Sequence, residues 1–207
     1  MLPLLFILGF AVLGTVAVVA AFKQQRQARA RLAALASRLG LELKTQPAKL
    51  GFEPLPTVEG PHRGRRVRFF TYSTGSGKNR TIWSAVSAAA AGAGPFTLDL
   101  YPQNFLGRVA IALGMQDIRV GDEAFDQAFV VKSNDPAYAA AALLPELREH
   151  LLAVRQRGAH GHLTVQGGLV RYAEIGAFEN DARVDRLAAM LDVACDLAEV
   201  TEVYRKP

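Results

Sequence analysis

The apolar residues of this chain change rhythm along its length, and the changes mark its elements. From Met1 to Phe22 the run is nearly unbroken, interrupted only by Pro3, Gly9, Gly14 and Thr15. At ~1.5 Å per residue a helix of that length reaches across the ~30 Å hydrocarbon core of a bilayer. Helical spans tolerate such interruptions because their backbone bonds close internally. The pattern predicts a transmembrane helix over 1–22. From Lys23 to Leu39 the spacing becomes that of an amphipathic helix, with Leu32, Leu35 and Leu39 on one stripe, and Gly40 is a fitting stop. A basic juxtamembrane helix over 23–40 follows, continuing the span and presenting its leucines to a domain at 41–207.

Within 41–207, residues 45–60 carry Pro47, Gly51, Pro54, Pro56 and Gly60 and read as a loop. Two β-prone runs, 65–72 and 80–87, flank the turn residues 73–79 and predict a hairpin. Residues 96–101 alternate like a half-buried strand, and 129–132 form another short strand. The stretch 103–121 gives no clear pattern. Asp135-Pro136 pairs an N-cap acceptor with a proline at the first helical position, and Pro145 divides the helical run into pieces near 136–144 and 145–156. A second hairpin is predicted at 162–165 and 169–172 around Gln166-Gly167-Gly168. The last helix runs from Asn180 or Asp181 to about Tyr204, with Val184, Leu187, Leu191, Ala194, Cys195 and Ala198 as its apolar stripe. The expected fold is α+β: an N-terminal transmembrane helix, then one mostly antiparallel sheet domain with packed helices.

Charge sharpens the reading of the N-terminus. No charged side chain precedes Lys23, and the flank 23–40 holds Lys23, Arg26, Arg29, Arg31 and Arg38 with no acidic residue. The absent cationic start and the long apolar run favour a retained anchor over a cleaved signal, although Ala17, Ala20 and Ala21 imitate a cleavage site. Basic flanks stay on the cytoplasmic side, so the domain is expected in the cytoplasm, beneath the inner membrane. The five cations are candidates for contact with anionic lipid headgroups. The remaining 19 basic and 19 acidic residues of 41–207 balance. That balance argues against nucleic acid, which selects a net cationic surface. Cys195 is the sole cysteine, so no intramolecular disulfide forms.

Gly121-Asp122, Phe125-Asp126 and Phe129-Val130-Val131, followed by Asp135-Pro136 and Leu143-Leu144-Pro145, resemble a pattern in a family of bacterial single-pass membrane-anchored proteins with a domain of unknown function. Gly60, Gly64-Arg65 and Val67 fit the same pattern. The resemblance covers roughly 60–172 and implies architecture: a turn at Gly121-Asp122, then a strand carrying Phe125 and Phe129 into the core. It implies no catalytic residue or ligand. Asp126 is expected to satisfy a backbone donor.

Candidate chemistry is sparse. Gly75-Ser76-Gly77-Lys78 lacks the first glycine and the Ser/Thr of a phosphate loop, and a β-prone run follows it, so it reads as a hairpin turn. His160 and His162 fall short of a metal site, which takes four ligands in its structural form. Asp122, Glu123 and Asp126 have no partner histidine nearby in sequence. Cys195 on an apolar stripe reads as core. Arg63, Arg65, Arg66 and Arg68, with Phe69, Phe70 and Tyr72 after them, read as solvated strand arginines near a membrane. No catalytic, cofactor or metal site is expected. The function predicted is a membrane-anchored cytoplasmic binding module with a protein partner. The alternative is a membrane-tethered enzyme with a dispersed site, and the third reading a surface for anionic lipid or nucleic acid.

Overall fold

The computed structural model describes residues 2–47, 53–103 and 117–203. The chain starts in one continuous helix, α1 (Leu2–Leu39), whose side chains are described at 15–16 and from 19 onward. It ends where Gly40 turns to a positive φ of 64° and the Leu41 N–H donates back to the Ala36 carbonyl at 2.9 Å, a left-handed cap that suits glycine. The transmembrane expectation for 1–22 falls largely on side chains outside those described. Among the described residues no helix is long and apolar enough to cross a membrane.

Eight strands follow: β1 (Glu42–Lys44), β2 (Thr57–His62), β3 (Arg65–Thr74), β4 (Thr81–Ala89), β5 (Leu98–Pro102), β6 (Phe129–Ser133), β7 (His162–Gln166) and β8 (Leu169–Ile175). They form one sheet in the order β1-β2-β3-β4-β8-β7-β5-β6, with every pairing antiparallel. Four further helices are α2 (Glu123–Ala128), α3 (Pro136–Ala142), α4 (Pro145–Gln156) and α5 (Asp181–Glu202). The α+β expectation, both hairpins, the division at Pro145 and the C-terminal helix all hold. Asp135 caps α3 by accepting from the Tyr138 N–H at 3.0 Å, with Pro136 next in line.

Two local expectations are corrected. The loop drawn over 45–60 contains the start of β2, and β1 precedes it. Pro61 is compatible with β2 because β1 pairs only with Thr57, Val58 and Glu59, leaving Pro61 beyond the ladder on that side. The stretch after Gly121 is a short helix before it is a strand. The Asp122 carboxylate accepts from the Phe125 N–H at 3.1 Å, and the Asp126 N–H donates to the Asp122 carbonyl at 2.8 Å. Capping thus wins over β-propensity at 123–128. Phe125 still enters the core, and Phe129 begins β6. Asp126 does satisfy backbone donors, Val120 at 3.0 Å and Gly121 at 3.2 Å.

One face of the sheet carries the core. Val58, Val67, Phe69, Val86, Ala88, Leu98, Leu100, Val131, Leu163 and Val170 point to it, and the buried faces of α4 and α5 join the same cluster. The stripe predicted for α5 is buried, Cys195 included. The core also extends back into α1, where Ala28, Leu32, Leu35 and Ala36 are buried in it. Burying two leucines there supplies ~1.5–3 kcal/mol each.

Candidate functional site: the helix base and the strand-only sheet face

The base of α1 is fixed by apolar packing within and ion pairs around it. Arg31 meets Asp181 and Arg38 meets Asp185, both at 2.8 Å and both on α5. Arg29 pairs with Glu53, and Gln25 donates to the Glu53 carbonyl at 2.5 Å. The five basic residues of the flank therefore separate. Arg29, Arg31 and Arg38 engage the domain's own carboxylates, whereas Lys23 and Arg26 are exposed and make no ion pair among the described residues.

Strand alternation sends a second set of side chains to the opposite face. Trp83, Ala85 and Ala173 form a separate buried cluster there, with Phe70 and Tyr72 half-buried against it. Among the described residues no helical residue belongs to that cluster. The Trp83 indole stacks on Tyr72 at 6.2 Å and 9°, and its Nε1–H donates to Thr74 Oγ1 at 2.8 Å. Phe70 and Tyr72 lie 5.9 Å apart. The guanidinium of Arg68 sits over Phe70 at 5.0 Å, and that of Arg171 over Tyr72 at 5.3 Å. Burial pushes the Tyr72 phenol up, and Arg171 pulls it partly back.

The register places a polar row beside this patch. Glu42, Glu59, Arg68, Ser87, Arg171, Thr164, Asp99 and Lys132 pair in succession from β1 to β6, one from every strand. Most of its charges are matched. Glu59 takes Lys44 at 2.6 Å, Arg66 at 3.5 Å and Arg68 at 3.6 Å. Asp99 meets His162 at 3.1 Å, and Lys132 meets Asp117 at 3.5 Å. Arg171 has no carboxylate partner among the described residues.

On the covered face one polar cluster is buried. Tyr172 Oη donates to Glu174 at 2.9 Å and accepts from the Gly161 N–H at 2.9 Å. Glu174 also receives Arg186 through two bonds, 3.1 and 2.8 Å, with Arg183 at 3.5 Å. A side chain at Gly161 would drive into the Ala173 carbonyl and the Tyr172 ring, so the position requires glycine. Burial first and Glu174 second hold the phenol well above its usual range, so it stays protonated. Apart from the buried Arg183 Nε, which has no hydrogen-bond partner among the described residues, these groups are matched, and the cluster ties β8 to α5.

The remaining sequence candidates resolve as follows. Gly75-Ser76-Gly77-Lys78 forms the β3–β4 turn, with a 3-10 segment at Gly77–Asn79. His160 is exposed and apart from the Asp99–His162 pair, and no group of three potential metal ligands occurs among the described residues. Arg63 and Arg65 are not free solvated cations: Arg63 meets Asp196 at 2.6 Å, and Arg65 meets Glu202 on α5. An open groove of about 450 Å³ between α4 and α5 is lined by Leu144, Leu147 and Val200 with Glu146, His150, Asp196 and Glu199. Sequence reasoning missed Arg171 and the polar row. The even-numbered residues 66, 68, 70 and 72 of β3 were the available signal, since they share one face.

No family model matches the chain, and no curated protein sequence matches it. The family expected from the Gly121–Pro145 motifs therefore has no such match behind it. What stands is a likeness in fold to a solved structure, the mycobacterial trehalose monomycolate transport factor A, TtfA. The TM-score is 0.57 at 13% identity, over 84% of this chain and 96% of that one. At that identity the likeness concerns architecture.

Proposed function

We propose that this chain is a single-pass membrane-anchored adaptor whose α+β domain lies on the cytoplasmic side and binds a protein partner of an envelope-lipid transport system. The carrying observation is the continuity of α1. One helix runs from the apolar N-terminal segment into the domain, where Leu32 and Leu35 are buried in the core. A flexible tether would let the domain tumble; a helix seated in the core couples the domain's orientation to that of the anchor. The charge asymmetry around Lys23 supports the cytoplasmic orientation. The likeness to TtfA supports lipid transport as the setting, since that protein is a trehalose monomycolate transport factor. Lys23 and Arg26, exposed and without an ion pair among the described residues, support contact of this flank with anionic headgroups.

The test has two parts. A reporter fused after Pro207 is expected to be active only as a cytoplasmic reporter, and periplasmic activity would overturn the orientation. Deleting residues 1–22 is expected to move the folded domain out of the membrane fraction and abolish complementation of a deletion strain. Full complementation by the released domain would sink the adaptor reading.

A further inference from the structure

We propose that the centre of the strand-only sheet face binds a phosphate group, held chiefly by Arg171 with Arg68 and the hydroxyl of Ser87. Arg171 is half-buried in the middle of an eight-stranded sheet, yet no carboxylate lies within 4 Å of it among the described residues. Withdrawing a cation partly from water without an opposite charge is unfavourable, and an incoming anion relieves that cost. Its cross-strand neighbours are Ser87 and Thr164, both buried; the Ser87 hydroxyl is able to donate to an oxyanion, whereas that of Thr164 donates to the Arg171 carbonyl at 3.4 Å. Arg68 stands two strands away across Ser87, so the two guanidiniums arise about 10 Å apart, within reach of one shared phosphate. Each lies over an aromatic ring, which holds the guanidinium plane while its N–H edges stay available for forked bonds to oxygen.

Of the carboxylates sharing this face, Asp99 pairs with His162, and Glu59 is bonded to Lys44 at 2.6 Å but also stands 3.6 Å from the Nε of Arg68, so Arg68 is the lesser ligand and Arg171 the principal one. Phosphate could arrive as a soluble ion or as a lipid headgroup; the chemistry of recognition is the same. The proposal does not rest on the adaptor reading, because it needs no particular orientation of the chain.

Trp83 is the sole tryptophan and stacks on Tyr72, the ring beneath Arg171, so the site carries its own reporter. The full chain would be placed in phosphatidylcholine nanodiscs, and Trp83 emission and titration heat followed on adding inorganic phosphate. A second arm would replace part of the phosphatidylcholine with phosphatidylglycerol. A saturable response in either arm is expected, and the responding arm identifies the source. Arg171→Gln should weaken it about tenfold or more, as loss of a charge-assisted bond implies. Arg68→Gln should weaken it less, and Arg157→Gln, exposed on the helix side, should not change it. If Arg171→Gln fails to fold, the exposed Arg68 decides: unchanged affinity in Arg68→Gln overturns the site. It is likewise overturned by silence in both arms, by equal weakening in Arg157→Gln, or by a response to single-stranded oligonucleotide alone.

Discussion

The two faces of the sheet are built from the same strands and alternate residue by residue, yet they differ in kind. The covered face is almost wholly aliphatic and aromatic, closed by α1, α4 and α5, with a buried polar cluster at Tyr172 and Glu174. The other face carries a charged row from edge to edge beside a short aromatic patch made, among the described residues, of strand residues alone. Burial on the first face specifies the fold. Charges on the second add little to stability and leave surface chemistry open. A sheet divided in this way places its stability and its recognition on opposite sides.

The sharpest way to break that comparison is to truncate the covered face. Phe125→Ala should cost ~3–5 kcal/mol, because the ring is fully buried and its removal leaves a cavity against Phe129. Leu35→Ala should cost ~2–5 kcal/mol, which would show that α1 belongs to the cooperative unit. Chemical denaturation of both variants measures these losses. A Leu35→Ala protein as stable as wild type would mean that the helix base only rests on the domain. By contrast, Arg66→Gln on the other face should change stability by less than ~1 kcal/mol.

A smaller effect is expected at the polar cluster. Tyr172→Phe removes the donor to Glu174 and the acceptor for the Gly161 N–H, and should cost ~1–3 kcal/mol. Amide exchange at Gly161 should accelerate, while unchanged exchange would mean that the bond is dispensable.

Much of this covered face was legible because its signals are local. Asp135-Pro136, Pro145 and the 181–202 stripe declare their helices within a few residues, and Gly-rich turns declare both hairpins. β1 and β2 were not legible as strands, because their pairing is with each other across a proline-rich connection and with β3. Nor was α2, since six residues are too few for a helical period and only the Asp122 cap gives it away. The polar row was the least accessible part. Its members come from eight separated segments, and the order β4-β8-β7-β5 brings Ser87, Arg171, Thr164 and Asp99 together only once the register is known.

Acid titration probes one ion-paired carboxylate on each side of the sheet, Glu59 on the strand-only face and Glu202 of α5 on the covered side. The Glu59 carboxyl is held below its ordinary value, chiefly by its bond to Lys44, and that of Glu202 by Arg65. A carboxyl depressed on folding stabilises the folded state above its unfolded pKa and loses that contribution as pH falls through the folded one. Stability should therefore decline below the ordinary value of 4.5. Glu59→Gln and Glu202→Gln together should flatten that decline. An unaltered acid limb in the double variant would assign it to other groups.

The smallest stability effects, and the finest division, are expected among the five flank cations. Arg31 and Arg38 each reach an α5 carboxylate at 2.8 Å, but Asp181 and Asp185 are themselves exposed. Exposed pairs of this kind contribute ~0–1 kcal/mol, so Arg31→Gln and Arg38→Gln should lower stability slightly and more at low salt than at high. Lys23 and Arg26 touch no carboxylate among the described residues and should leave stability unchanged when replaced. Their loss should appear in the membrane instead, weakening attraction to anionic bilayers by ~1 kcal/mol per charge near the surface. Paired measurements of melting and of vesicle binding on Lys23→Gln/Arg26→Gln and Arg31→Gln/Arg38→Gln would expose the division. If both double variants lose vesicle binding equally, the α5 carboxylates do not hold Arg31 and Arg38 against the bilayer, and all five cations act as one basic flank. If only the Lys23/Arg26 pair matters, the helix has given its last turns to the domain and kept its first cations for the membrane.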